Sequence, residues 1–568
     1  MTGKRYDQWI IRRLLIENQS PAAKRKNSLK PSTIRIGRRY RFNRLNGAYD
    51  AVVIGSGIGG LTTAALLSDM GWKVCVLEQH YTAGGYTHSY DRNGYEWDVG
   101  VHYIGDVGTM TRTRKMFDFL TDGKLKWAPM DDEYDRFYIG DKVFNAVAGR
   151  QEFQDNLVRQ FPGEEAAVSK YMQLLNDVGK GLSVFTMARL LKPWQRALAW
   201  PYLKLKTPEL LFRNTYEVLS EITDNQDLIA VLCGQWGDMG LPPKKSAFMV
   251  HAMIARHYLY GGFYPIGGSW KIAEHIIPKI QASGGEVFTY AMVKGIALDG
   301  NRVTGVEMTD GNQIECPVVI STAGIDNTFN SLLPKSAVRK AGYESRLKNV
   351  KPSMAHLGVY IGLRETAEQL GLPKTNFWIY PDNDFDKAVD GFMDNPDADF
   401  PVVYISFPSA KDPDYAVRRP GTATIEIVAP APFSWFEKWQ GTTWGKRGDD
   451  YDEFKAALGE RLMQYLYDKL PQLVGKVDYY EVSTPLSTEY FCAYQKGELY
   501  GLDHDPVRLQ QNWLGPRTRF NGLWLSGQDV LTCGVTGAMM AGLLTTSSII
   551  GMRKSGVLVK KIFATPAE

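Results

Sequence analysis

The sequence predicts an α/β fold in which one parallel sheet is assembled from distant parts of the chain, and three observations predict it. First, the apolar run Asp50-Ala51-Val52-Val53-Ile54 meets Gly55-Ser56-Gly57-Ile58-Gly59-Gly60, then an Ala- and Leu-rich stretch, then a second apolar run from Lys73 to Leu77. Second, Val318 to Ala323 is another apolar run that ends on a glycine, Gly324. Third, Leu523-Trp524-Leu525 leads through Gly527 into a long stretch of small residues. Short continuous apolar runs are strands buried on both faces, as parallel strands are.

Taken in order, residues 1–49 read as a basic N-terminal extension. Residues 1–46 hold thirteen Lys or Arg against Asp7 and Glu17, a surplus of eleven, while the rest of the chain has 53 basic and 60 acidic residues. The basic character therefore belongs to the extension. Trp9 to Ile16 mixes apolar and basic residues as a short amphipathic segment, and Pro21 and Pro31 bracket a lysine-rich stretch. Leu61 to Gly71 reads as a helix joining the first two strands. From about 110 to 270 the pattern is mostly helical with few strand signals. Strands return at Gly285 to Thr289 and across Lys294 to Met308, where Asp310-Gly311 marks a hairpin into Gln313 to Ile320.

The uncharged run Val530 to Met552 is long enough to cross a bilayer. Its Gly, Ser and Thr content, directly after a buried strand, reads instead as a buried helix. No secretory signal is visible. The five cysteines lack metal-ligand or paired spacing, so neither a metal site nor a disulfide framework is expected, and a cytoplasmic setting is.

The strand, G-x-G-x-x-G, helix and second strand, closed by Glu78, form a Rossmann-type βαβ unit. Gly55 permits the tight turn, Gly57 lets backbone approach a pyrophosphate, and Gly60 lets helix and strand pack closely, with Ile58 and Gly59 opening the helix whose N-terminus attracts phosphate. Glu78 is placed to accept hydrogen bonds from a ribose.

Beyond Glu78 the chain reads His80-Tyr81-Thr82-Ala83-Gly84-Gly85-Tyr86-Thr87-His88, then Trp97-Asp98-Val99-Gly100, and near its end Gly522 to Asp529. These blocks resemble the flavin elements of the amine-oxidase and phytoene-desaturase group. Tyr95 to Gly105, Gly237 to Pro243, Tyr264 to Ser269, Thr484 to Thr488, Tyr500 to Leu502 and Ser526 to Gly542 resemble its retinol saturase branch. The resemblance implies FAD, held by the glycine motif, Glu78, Gly84, Gly85, Tyr86, Thr87, His88, Val293, Gly527, Asp529, Gly534 and Val535. Tyr86 stands where the group usually has Arg, and Gln528 where it often has a carboxylate. It also implies a split Rossmann-type FAD domain (50–130, 275–340, 500–553), an inserted mixed α+β substrate domain (131–274, 341–499) and a tail (554–568).

The implied chemistry is hydride transfer between flavin N5 and a carbon–carbon bond of a long apolar lipid such as a retinoid, carotenoid or isoprenoid, by a saturase, desaturase or isomerase with a separate electron donor or acceptor. A long-chain unsaturated fatty acyl desaturase or reductase is the alternative, and a non-catalytic flavin-bound lipid carrier the alternative of another class. Candidate acids and bases within the resembling blocks are His102, Asp238, Tyr264 and Glu489. Ala188 to Lys206 carries five basic residues, no acidic ones and two Trp, which suits peripheral contact with a membrane surface. Nothing beyond the basic extension points to nucleic acid.

Overall fold

The computed structural model describes residues 31–564. The segment Trp9 to Ile16 and most of the basic extension lie outside the described residues.

Six strands form one parallel sheet: β1 (Arg38–Arg39), β2 (Ala51–Ile54), β3 (Val74–Leu77), β4 (Glu286–Thr289), β5 (Val319–Ser321) and β6 (Leu523–Leu525). Their spatial order is β1-β4-β3-β2-β5-β6. Val52 pairs with Cys75 on one side and Val319 on the other, and all of β2 and β3 is buried. A strand with helices on both faces has no polar side to spare, which is why these segments read as unbroken apolar runs. Helix α1 (Ile58–Asp69) links β2 to β3.

Four more helices matter to the site: α2 (Glu165–Leu190), α3 (Pro193–Lys206), α4 (Gly534–Ile550) and α5 (Met552–Ala564). Helix α4 packs directly on α1, where a Cβ at Gly542 would lie 2.8 Å from the Thr62 Cβ. Two small-residue faces thus let two buried helices approach closely. No helix among the described residues is long and apolar enough to cross a membrane.

A second sheet has seven strands in the order Val477–Ser483, His356–Leu363, Ala423–Pro430, Val403–Ser406, Asn376–Tyr380, Glu133–Ile139 and Lys142–Val147. Every residue of His356–Leu363 is buried. Leu357, Val359, Ile361 and Leu363 pack in one cluster with Leu458, Leu462 and Leu466, while Tyr360 packs with Trp97 in another. The two-residue alternation of a strand thus divides an outer apolar layer from the inner face that looks toward the parallel sheet.

Three sequence expectations need correcting. The fold begins before Tyr49: β1 pairs with β4, and the Ser32 and Thr33 hydroxyls donate to Asp91 at 2.8 and 2.6 Å. The stretch from 554 onward is not a free tail, because α5 buries Leu558 and Ile562. The hairpin Glu133–Ile139 and Lys142–Val147 lies where mostly helix was expected. Its apolar alternation is broken by Asp135, a fully buried carboxylate.

A nucleotide cradle continuous with an apolar cavity

Three glycine-bearing loops meet at the C-terminal ends of β2, β3 and β6. A Cβ at Gly59 would lie 2.8 Å from the Gly527 Cα, and one at Gly85 2.8 Å from the Gly57 Cα. Gly60 would place its Cβ 2.3 Å from the Gly55 carbonyl, and Gly55 itself adopts φ +98°. Backbone against backbone leaves no room for side chains, whereas the direction in which a Gly57 Cβ would point is open. This opening lies at the N-terminus of α1, where unpaired N–H groups favour an anion.

Glu78 locks two of these loops. Its Oε2 accepts from the Ser56 N–H at 2.9 Å and the Ser56 hydroxyl at 2.7 Å, and its Oε1 accepts from the His80 N–H at 2.8 Å. The Ser56 hydroxyl in turn accepts from the Gly84 N–H at 3.1 Å. Nearby, His88 Nδ1 donates to the Gly85 carbonyl at 2.6 Å. Burial, reinforced by the neighbouring His80, lowers the His88 pKa to about 3 and keeps the ring neutral.

The cradle opens into a cavity of about 1640 Å³. That exceeds the roughly 300–1,000 Å³ of a pocket for one drug-sized ligand and leaves space for two molecules. Every residue expected at the cofactor lies on its wall, Asp529 excepted. The Asp529 carboxylate turns away to accept from the Ile325 and Leu502 N–H groups at 2.8 and 3.0 Å. It ties two loops behind the cradle, and the wall position falls to Gln528, whose amide donates to the Tyr494 hydroxyl at 3.0 Å.

Of the four acid–base candidates, the fold brings two into the cavity. His102 and Asp238 line it; Tyr264 and Glu489 do not. Tyr264 is buried behind the wall with its hydroxyl donating to Asp98, and Glu489 accepts from the exposed Gln440 amide at 2.7 Å. Asp98 also accepts from the Ser89 hydroxyl and from the N–H and hydroxyl of Ser269. It is a hub of packing rather than a wall residue.

His102 Nδ1 lies 2.8 Å from Oε2 of Glu426, whose Oε1 accepts from the Asp98 N–H at 2.7 Å. Burial, together with the nearby Lys411 ammonium, lowers the His102 pKa to about 3. Burial, with Asp98 alongside, holds the Glu426 carboxyl well above its usual range. Both shifts favour the uncharged forms, and an uncharged Glu426 would donate to Nδ1 and leave the ring proton on Nε2.

Behind them, Lys411 donates to the His102 carbonyl at 3.0 Å, the Ser406 hydroxyl at 2.7 Å and the Asn376 carbonyl oxygen. Asn376 donates to Asp135 at 2.9 Å, which also accepts from Gln235 at 2.7 Å and from Tyr103 at 2.9 Å. Burial brings the Lys411 pKa down to about 7, against the opposing pull of Glu426, Asp135 and Asp98. Sequence reasoning missed Glu426, Lys411 and Asp135. A carboxylate inside the apolar run Ala423–Pro430 was the readable signal for Glu426; Lys411 ends the short helix Pro408–Lys411 and had none.

Leu182, Met187 and Leu190 of α2 and Met540, Leu543 and Leu544 of α4 give the cavity an apolar stretch of wall. Helix α3 follows at once, and Trp194, Leu198 and Leu205 on it are 62%, 77% and 81% exposed. With Pro201 these positions repeat at helical spacing, forming a solvent-facing apolar stripe flanked by Arg196, Lys204 and Lys206.

The model of the NAD(P)-binding Rossmann-like domain family matches residues 53–120. A solved oxidoreductase from Methanosarcina mazei shares the fold at a TM-score of 0.55 and 17% identity, covering 88% of this chain and 99% of that one. The Prolycopene isomerase of Daucus carota is 25% identical over 87% of this chain and 79% of its own. Human All-trans-retinol 13,14-reductase is 38% identical over 532 residues, covering 89% of this chain and 86% of its own. A match of that identity along most of both chains, on a dinucleotide-binding oxidoreductase fold, shows that this chain belongs to the all-trans-retinol 13,14-reductase family.

Proposed function

We propose that this protein is an FAD-dependent reductase that saturates one carbon–carbon double bond of a long polyene alcohol of the retinoid class. The observation that carries the reading is the continuity of the glycine cradle with a mainly apolar chamber large enough for both cofactor and lipid. The cradle suits FAD: its glycines leave room only for a ligand's backbone-hugging pyrophosphate, and Glu78 keeps lone pairs for a ribose. FAD would occupy the six-stranded-sheet unit, and the lipid the space under the seven-stranded sheet and α2. Bound FAD would supply a hydride to one carbon of the double bond. The second carbon takes a proton, and we assign His102 to deliver it from Nε2 while the Glu426 proton passes to Nδ1, so that the ring stays neutral and Glu426 is left as the carboxylate. A dry chamber keeps that proton and hydride from water.

Collecting such a lipid calls for contact with a bilayer, and the α3 stripe, on the helix that follows α2 of the cavity's apolar wall, suits peripheral membrane docking. The test is anaerobic. Flavin-loaded protein is reduced, mixed with all-trans-retinol, and followed by flavin absorbance and by mass spectrometry of the lipid. Reoxidised flavin with two hydrogens gained by the lipid supports the reading. A rearranged polyene of unchanged mass would move the assignment to an isomerase, and turnover of unsaturated fatty acyl chains alone would sink it.

A further inference from the structure

We infer that Asp238 is the hydroxyl-binding residue of the cavity, the group that selects an alcohol over a carboxylic acid or a hydrocarbon end. The inference rests on the proposed reduction of a polyene and adds to it the recognition of the chain's polar end.

Asp238 lines the cavity, is half-buried beside the Tyr258 hydroxyl, and leaves its buried Oδ2 without a hydrogen-bond partner. An orphaned buried oxygen costs about 1–3 kcal/mol and persists where a ligand completes it. Its placement is fixed from both sides. The Tyr500 hydroxyl donates to the Gly237 carbonyl at 2.9 Å, and the Cys533 thiol to the Asp238 carbonyl at 3.4 Å. Cys533 is the residue before α4, the helix whose first turn contributes Gly534 and Val535 to the cradle. The carboxyl therefore stands next to the reacting end of the chamber. In a retinol the hydroxyl-bearing carbon adjoins the 13,14 bond, so a bond placed for reduction brings its hydroxyl to this wall.

The surroundings choose the chemistry. Asp135 lies close enough to raise the Asp238 pKa further, and Tyr103, Tyr258, Tyr404 and Tyr500 all feel the Asp238 charge. Lys411, a buried cation of this region, has its amine committed to Asn376, Ser406 and the His102 carbonyl. A ligand carboxylate at this wall would face two acids, because the cations that line the cavity, Arg112, Arg150, Arg256 and Lys294, lie on other elements. A hydrocarbon end would leave Oδ2 unpaired. A hydroxyl both donates and accepts, which satisfies a carboxyl in either protonation state.

The experiment is equilibrium binding to the flavin-loaded protein, read by quenching of tryptophan fluorescence. The ligands are all-trans-retinol, the same polyene ending in methyl, the same polyene ending in a primary amine, and retinoic acid. We expect retinol to bind about tenfold or more tighter than the other three. In Asp238→Leu the preference over the methyl-ended polyene disappears while affinity for that polyene is kept; in Asp238→Asn, which also donates and accepts, most of the preference remains. Flavin content and melting temperature check folding, and the Asn variant carries the test if the Leu variant does not fold. Equal loss of both ligands in Asp238→Leu, or tighter binding of the acid or the amine by the wild type, overturns the inference. If wild-type protein binds none of these polyenes, the proposed reduction itself falls, a result distinct from loss of selectivity.

Discussion

His102 Nδ1 and Glu426 Oε2 stand 2.8 Å apart, and their contact joins the segment after Tyr95–Asp98 to the middle of a strand in the seven-stranded sheet. The pair spans the two parts of the molecule at the point where cofactor and lipid would meet. A neutral acid donating to Nδ1 puts the ring proton on Nε2, whereas an ionised one would hold it on Nδ1.

This arrangement makes a discriminating prediction. In Glu426→Gln the side-chain carbonyl can still accept from the Asp98 N–H and the amide can hold Nδ1, but the amide has no acidic proton to pass on, so the reduction rate should fall about a hundredfold with the fold and flavin content kept. Glu426→Ala leaves the ring unheld, and His102→Ala removes the proton donor. Both should lower the rate of anaerobic flavin reoxidation by retinol about a hundredfold or more, with flavin content retained. A Gln variant as fast as the wild type would refute the passage of a proton from Glu426 through His102.

A second prediction concerns the cradle. Gly59→Ala drives a Cβ to 2.8 Å from the Gly527 Cα and 3.0 Å from the Ala538 carbonyl, all of it backbone that cannot rotate away. Overpacking of this kind costs about 1–3 kcal/mol. Purified protein should carry little flavin and melt several degrees lower. Gly71→Ala, with no atom within 4 Å but φ +86°, should lose stability through backbone strain alone and keep its flavin.

pH dependence offers a third. Burial lowers the His251 pKa to about 4, and its Nε2 lies 3.1 Å from the Tyr171 hydroxyl. The folded value lies below the unfolded one near 6.5, so this residue costs no stability above pH 6.5. Below that the unfolded chain takes up the proton first, and stability falls by about 1.4 kcal/mol per pH unit until the folded value is reached. The melting-temperature difference between wild type and His251→Gln should therefore shift against the wild type as pH drops from 7 to about 4.5. A difference constant across that range would contradict the assignment.

A fourth prediction tests the exposed stripe. Replacing Trp194, Leu198, Trp200 and Leu205 with Ser should reduce co-sedimentation with anionic vesicles at least about tenfold and leave melting unchanged, since these side chains pack little in the protein. Retained binding would reassign α3 to an ordinary surface role.

How much of this was legible in the sequence follows from where each signal lies. The strands β2, β3, β5 and β6 announce themselves because burial on both faces leaves them wholly apolar. The cradle was readable because glycine is demanded by backbone contact, which no other residue satisfies. Asp529 misled because its one-residue offset from the glycine turns the side chain to the other side of the loop, toward Ile325 and Leu502. Tyr264 misled because its neighbours in sequence do face the site while its own hydroxyl is consumed by Asp98. Lys411 and Asp135 were invisible, since their meaning lies in Asn376, which bridges a helix end and a strand from the neighbouring strand.

The contact between α1 and α4 has a consequence for synthesis. The Thr63 hydroxyl lies 3.0 Å from the Ser526 hydroxyl, a bond between positions 463 residues apart, and the Gly59 and Gly527 backbones touch alongside it. The first loop of the cradle leaves the ribosome early, and the wall that closes it follows 463 residues later. A nascent chain that has not yet made this wall carries an open cradle, and a premature stop anywhere before α4 yields a product that starts to fold around a binding site it can never finish.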